Sequence, residues 1–72
     1  MPGNSYKVVE MIGTSENSWE EAARTAVETA SQHLKHMRVA EVKELDMTVS
    51  ENGQVTAFRA KVSVSFKYEP SH

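Results

Sequence analysis

The sequence predicts an α+β subunit in which a three-stranded antiparallel sheet wraps around one helix, in the order β-α-β-β. Three observations predict it. Residues 18–37 carry alanines and larger apolar residues at helical spacing. In the run Val55–Tyr68, residues 58–68 alternate apolar and polar without a break. Between that stretch and the preceding strand-like run stands Asn52-Gly53, a strong hairpin signal whose two central residues are expected at positive φ. A chain of 72 residues suffices for one domain, expected over residues 6–69. Residues 1–5, with Pro2, Gly3 and Asn4, read as a loose end, and residues 70–72 as a tail.

Each element has its own justification. The first strand, residues 6–12, is β-branched and aromatic and is bounded by Gly13. Tyr6, Val8 and Ile12 lie on one side of it, Val9 and Met11 on the other. Residues 13–17 read as the turn into the helix. In the helix, Trp19, Ala22, Ala23, Ala26, Val27, Ala30, Leu34 and Met37 fall on one face. Ser18 and Glu21 form a Ser-x-x-Glu capping box, Glu20 and Glu21 suit the positive end of the helix dipole, and Lys35 suits the negative end. Trp19 is expected to seal the helix–sheet core at that end.

The second strand, residues 38–49, changes pattern midway. Ala40 and Val42 are apolar on the even face, then Leu45, Met47 and Val49 on the odd face. Either a bulge near Lys43-Glu44 swaps the faces, or the strand buries opposite faces at its two ends. In the third strand, Phe58, Ala60, Val62, Val64, Phe66 and Tyr68 alternate with Arg59, Lys61, Ser63, Ser65 and Lys67. One helix covers only one face of such a sheet, so a monomer would expose too much apolar surface, and an obligate oligomer is expected.

Composition excludes much else. There is no cysteine, so disulfides and thiolate metal sites are out. No apolar run approaches the ~20 residues of a membrane span, and the N-terminal residues lack a signal peptide's pattern, so the cytoplasm is expected. A net charge of −2 with scattered basic residues argues against nucleic acid. No acid, base and nucleophile constellation is readable, and the chain is expected not to be an enzyme. His33 and His36 lack an evident third metal ligand and read as a solvated helix end. Glu44 and Asp46, two apart on a strand, point to one side; two hard oxygen ligands suit Ca²⁺ or Mg²⁺, and equally suit a solvated strand edge. Arg59 and Lys61 are expected to pair across the ladder, for example with Glu41 or Glu44.

Residues 8–15 (Val-Val-Glu-Met-Ile-Gly-Thr-Ser), 18–23 (Ser-Trp-Glu-Glu-Ala-Ala), 40–44 (Ala-Glu-Val-Lys-Glu) and 64–69 (Val-Ser-Phe-Lys-Tyr-Glu) together resemble the dodecin family. The resemblance implies β-α-β-β subunits assembled as a hollow homododecamer. It also implies a flavin site (FMN, riboflavin or FAD), in which isoalloxazine rings stack between symmetry-related tryptophans and a third-strand glutamine bonds the ring edge. Those two positions fall at Val39 and Arg59, and neither residue matches: valine has no π-face, and arginine accepts no hydrogen bond. The degraded pocket is expected at subunit contacts around Val39, Glu41 and Arg59. Ser18-Trp19-Glu20, Arg38-Val39-Ala40 and Asp46-Met47 resemble the subgroup described as calcium dodecins. That likeness implies bound calcium, and the resemblance to flavin-binding members, some of which carry a cation near the acidic residue matching Glu44, implies Glu44 as its ligand with Asp46 as helper.

Overall fold

A computed structural model describes residues 5–68. The expectations for residues 1–4 and 69–72 lie outside these described residues. The order is β1 (Ser5–Ser15), α1 (Trp19–Ser31), β2 (Met37–Val49) and β3 (Val55–Tyr68). Both β1 and β2 pair antiparallel with β3, so the sheet order is β1-β3-β2. β3, the strand with the cleanest alternation, is the central one.

The helix lies over β1 and β3 and barely touches β2. Its alanines Ala22, Ala26 and Ala30 are buried, the first two packed with Ala60, Val62 and Val64 of β3. Small side chains let the backbones approach closely, and Gly13 carries this furthest. Gly13 was read as the start of a turn, but it lies inside β1, opposite Ala60. A Cβ there would sit 2.1 Å from the carbonyl oxygen of Ala22. The glycine marks a close approach of strand to helix rather than a chain reversal.

The helix is shorter than the periodicity predicts. It stops at Ser31, and the amides of Gln32, His33 and Leu34 fold back onto the carbonyls of Thr29 and Ala30. Leu34 and Lys35 lie beyond it, so no basic residue stands in its last turn, and Met37 opens β2. The reversal is completed by His36, at φ 61°, whose carbonyl accepts from the Lys67 amide (3.1 Å). Left-handed backbone costs an L-residue roughly 1–2 kcal/mol, against about 0.5–1 kcal/mol for glycine's extra unfolded-state entropy. His36→Gly is therefore expected to raise stability by up to about 1 kcal/mol. A thermal melt checks it; a lowered melting temperature would show that the imidazole's own contacts outweigh the backbone term.

At the hairpin, Ser50 O accepts from Gly53 N (2.9 Å) and Ser50 N donates to Gln54 O (2.8 Å). Only Gly53 is left-handed, at φ 85°, while Asn52 keeps a negative φ. The expectation of positive φ at both central residues fails because the loop is longer than the two-residue turn that needs it.

The pattern change in β2 has one cause. Register shifts by one residue between Val42 and Glu44, leaving Lys43 as the bulged residue. Ala40, Val42, Leu45 and Met47 thus oppose Val64, Val62, Ala60 and Phe58, all on the helix side of the sheet. The helix does not reach them, and Val42, Leu45 and Met47 remain about half exposed. The radius of gyration is 15.2 Å, with extents of 58 × 19 × 17 Å. A compact chain of this length would have about 11 Å. Among the described residues, no helix is long and apolar enough to cross a membrane.

Candidate functional site

Directly paired residues share a face, so side-chain rows run across β1, β3 and β2 on the sheet's outer side. Thr14, Arg59 and Asp46 form one row, followed by Ile12, Lys61 and Glu44. Glu10, Ser63 and Glu41 come next, then Val8, Ser65 and Val39.

Opposite charges meet in the first two rows. Arg59 donates from Nε to Asp46 Oδ1 (2.7 Å) and from Nη2 to Oδ2 (2.8 Å). Lys61 Nζ lies 3.6 Å from Glu44 Oε1. The expected Lys61–Glu44 pairing is present, but Arg59 takes Asp46 rather than Glu41 or Glu44. The register next to the hairpin sets this: after the shift between Thr48 and Val49, Asp46 stands directly opposite Arg59 and Glu44 opposite Lys61. Glu41 instead has Lys43 Nζ at 3.8 Å. The Arg59 guanidinium holds the Asp46 carboxyl below its usual range, and the same bond raises Arg59. All four groups are exposed enough for water to screen them, so the pairs fix geometry more than they add stability.

Asp46 is also held from behind. Trp19 donates its Nε1–H to the Asp46 backbone carbonyl (2.9 Å). Its ring meets Phe58 edge-on, with centroids 5.0 Å apart and planes at 69°. Trp19 thus closes the helix–sheet layer at its end, as its position predicts. The indole–carbonyl bond spans too long a sequence gap for spacing to reveal.

The helix entry is built more tightly than a capping box. Ser18 Oγ accepts from Glu21 N (3.0 Å), as predicted. The return arm goes elsewhere: the Glu21 carboxylate accepts from the Ser15 hydroxyl and from Asn17 Nδ2. Ser15 Oγ in turn accepts from the amides of Asn17 (2.9 Å) and Ser18 (3.3 Å). The Ser15 hydroxyl, then Asn17, hold the Glu21 carboxyl below its usual range. Ser15, read as a turn residue, is a buried part of this network.

Val39 lines a shallow apolar groove of about 220 Å³ with Val27, Met37, Arg38, Ala40 and Val64. Glu41 follows on the same face of β2. Arg59 does not join them within one subunit. It stands six positions along β3 from Ser65, Val39's partner, which is about 20 Å of extended chain. A pocket containing Val39, Glu41 and Arg59 must draw on more than one subunit.

Glu44 and Asp46 share the outer face, as their spacing predicts. Their oxygens suit a hard cation, but calcium takes about six to eight oxygen ligands. Two carboxylates, each already paired with a β3 cation, do not complete such a shell in one subunit. Among the described residues, no group of three or more His, Cys, Asp or Glu could hold a metal ion.

A sequence model of the dodecin family matches residues 5–69. The chain belongs to the dodecin family. Among dodecins, the calcium dodecin of Mycobacterium tuberculosis is 48% identical over 66 residues, covering 92% of each chain. The crystal structure of that calcium-chelating antigen has a calcium-binding site of its own. It matches this fold with a TM-score of 0.80 at 47% identity, covering 94% of this chain and 96% of that one. The dodecin of Thermus thermophilus is 39% identical over 67 residues, covering 93% of this chain and 96% of its own. A dodecin structure from Streptomyces coelicolor matches with a TM-score of 0.88 at 32% identity, covering 99% of this chain and all of that one. Family and subunit fold therefore agree with the resemblance seen in the sequence.

Proposed function

We propose that this chain is one subunit of a non-enzymatic hollow homododecamer. In this reading the shell holds a small ligand or a cation, calcium first among them, and lacks the tight flavin stack of the main family. Assembly is supported by the apolar surface that one subunit leaves bare: Val42, Leu45 and Met47 on the helix side, and Tyr6, Val8, Ile12 and Val39 on the outer side.

The observation that carries the ligand reading is the outer face itself. At the position implied for the stacking tryptophan stands Val39, which has no ring. At the position implied for the glutamine stands Arg59, whose Nε and Nη2 donate to Asp46. The same face presents Glu44 and Asp46, and the chain is 48% identical to a calcium dodecin. A cation would reach these carboxylates by drawing further oxygens from a neighbouring subunit or water.

Native mass spectrometry of protein purified without added ligand tests this reading. Twelve subunits retaining calcium, or no flavin, are expected. Twelve subunits carrying flavin mass would replace it with flavin storage, and a monomer would overturn the assembly. A second test rebuilds the lost site. The double variant Val39→Trp, Arg59→Gln is expected to gain flavin affinity roughly two- to tenfold, the contribution of one stacked aromatic pair. Flavin fluorescence quenching reads it, and unchanged weak binding would show that the pocket lies elsewhere.

A further inference from the structure

We propose that Asn52 is a site of spontaneous, water-driven deamidation, and that Ser50 sets its pace by holding the turn closed.

The reaction brings an asparagine carboxamide against the backbone nitrogen of the next residue. A side chain on that next residue crowds the approach, and glycine has none. Gly53 follows Asn52, both are exposed, and nothing lies within 4 Å of where a Cβ on Gly53 would stand. The steps balance without oxidant or reductant. Hydroxide takes the Gly53 N–H proton, and the nitrogen attacks Asn52 Cγ. The N–Cγ bond forms, the Cγ–Nδ2 bond breaks, and Nδ2 takes a proton from water and leaves as ammonia. Water then opens the resulting cyclic imide at either carbonyl, which yields aspartate or isoaspartate.

Asn17 is the contrast. The residue after it, Ser18, carries a side chain. Its Nδ2 donates to the Glu21 carboxylate (2.9 Å), and the Ser18 amide that would attack donates to Oγ of the buried Ser15 (3.3 Å). Leaving group and nucleophile are both engaged there. Asn52 is held by its carboxamide oxygen instead, not by the departing nitrogen.

Ser50 is the brake. Its carbonyl accepts from Gly53 N (2.9 Å), so the proton that must leave is engaged while the turn stays closed. Its hydroxyl donates to Asn52 Oδ1 and accepts from Gln54 N (3.2 Å), and its amide donates to Gln54 O (2.8 Å). A donor at Oδ1 also steadies the charge that gathers there during attack. In an exposed loop water donates there as well, so the distinctive effect of the hydroxyl is to keep the turn shut. Conversion sets a new carboxylate beside Glu51, and isoaspartate lengthens the backbone between Ser50 O and Gly53 N. The next tie along the hairpin is the Thr48–Thr56 hydroxyl pair (2.6 Å), so the change stays at the tip.

The test is peptide mapping by mass spectrometry of the folded, full chain, held at physiological temperature in neutral and in alkaline buffer. Labelling by an isoaspartyl methyltransferase is the second readout. Asn52 is expected to convert, faster in alkali, and at least about tenfold ahead of Asn17, whose hydrogen bond to a charged group must break first. Ser50→Ala is expected to speed Asn52 roughly two- to tenfold, the scale of one neutral hydrogen bond. Ser50→Thr keeps the hydroxyl and is expected to run with wild type. An Asn52 that stays intact in the folded protein while the urea-unfolded chain converts would show that the turn forbids attack, and would overturn the site. Equal rates at Asn52 and Asn17 would overturn it too. Ser50→Ala converting no faster than wild type would overturn the brake. The two wild-type readings need no variant, so they decide the site even if Ser50→Ala folds poorly.

Discussion

Gly13→Ala is expected to destabilise the protein by about 3 kcal/mol or more, the upper range for forcing a methyl into a packed site. For a domain of this size that is a fall in melting temperature on the order of 12–24 °C. The cause is space rather than backbone conformation. Gly13 lies in β1 at an ordinary negative φ, so alanine would tolerate its dihedrals. The added Cβ would meet Ala22 O at 2.1 Å, Ala26 N at 2.8 Å and Ala26 Cβ at 3.0 Å. Two of these are helix backbone atoms, which cannot rotate away as a side-chain tip would. Relief requires lifting α1 off the sheet, and that lift would open the contact of Ala22 and Ala26 with Ala60 and Val62 at the centre of the small core. Gly53 is the contrasting case: its φ of 85° calls for glycine, yet nothing lies within 4 Å of where a Cβ would stand. Differential scanning calorimetry reads the effect, and an unchanged melting temperature would show that α1 rides higher on the sheet than described.

These two glycines show what the sequence made legible. A glycine announces a special position without saying which kind, so Gly13 read as a turn while it marks contact between layers. β3 was legible because its alternation holds from Phe58 to Tyr68 and both neighbours pair with it. The helix start was legible through Ser18, which caps as read. Its end was not, because apolar spacing continues through Leu34 and Met37 and no glycine follows to stop it. His36 takes the left-handed position instead, a role histidine fills only occasionally. Here local backbone bonding ended the helix while the hydrophobic period still favoured it.

The candidate site was legible in its parts and not in its pairing. Glu44 and Asp46 share a face because strand periodicity is local. Which cation each meets depends on register across the hairpin, and that register shifts between Thr48 and Val49 as well as at the bulged Lys43. The changed pattern from Val42 to Leu45 signalled the Lys43 bulge, but the shift beside the hairpin, which sets Asp46 opposite Arg59, left no comparable mark. The bond from Trp19 to the Asp46 carbonyl left no such signal.

Leu45→Asp, or equally Met47→Asp, is expected to dissolve the assembly, with loss of the oligomer on size exclusion and a steep fall in melting temperature. In an isolated subunit the change would be nearly silent, since Leu45 is 52% and Met47 44% exposed. The severity comes from what the single subunit lacks. Among the described residues its buried apolar core is Ala22, Ala26, Ala30, Ala60, Val62 and Val64, four alanines and two valines. A core of that size falls short even of the ~3–5 kcal/mol usual for a domain of this length. The missing burial stands on the helix side of β2, where Val42 and Leu45 line an open groove of about 550 Å³ with Trp19 and Ala23. Covering Leu45 or Met47 contributes roughly 1.5–3 kcal/mol per copy, and an aspartate there loses that and adds the cost of desolvating a carboxylate. In a closed assembly the loss recurs at every copy of the interface. A variant that stays assembled and melts with the wild type would place this strand face in solvent, and the stability of so small a core would then need another source.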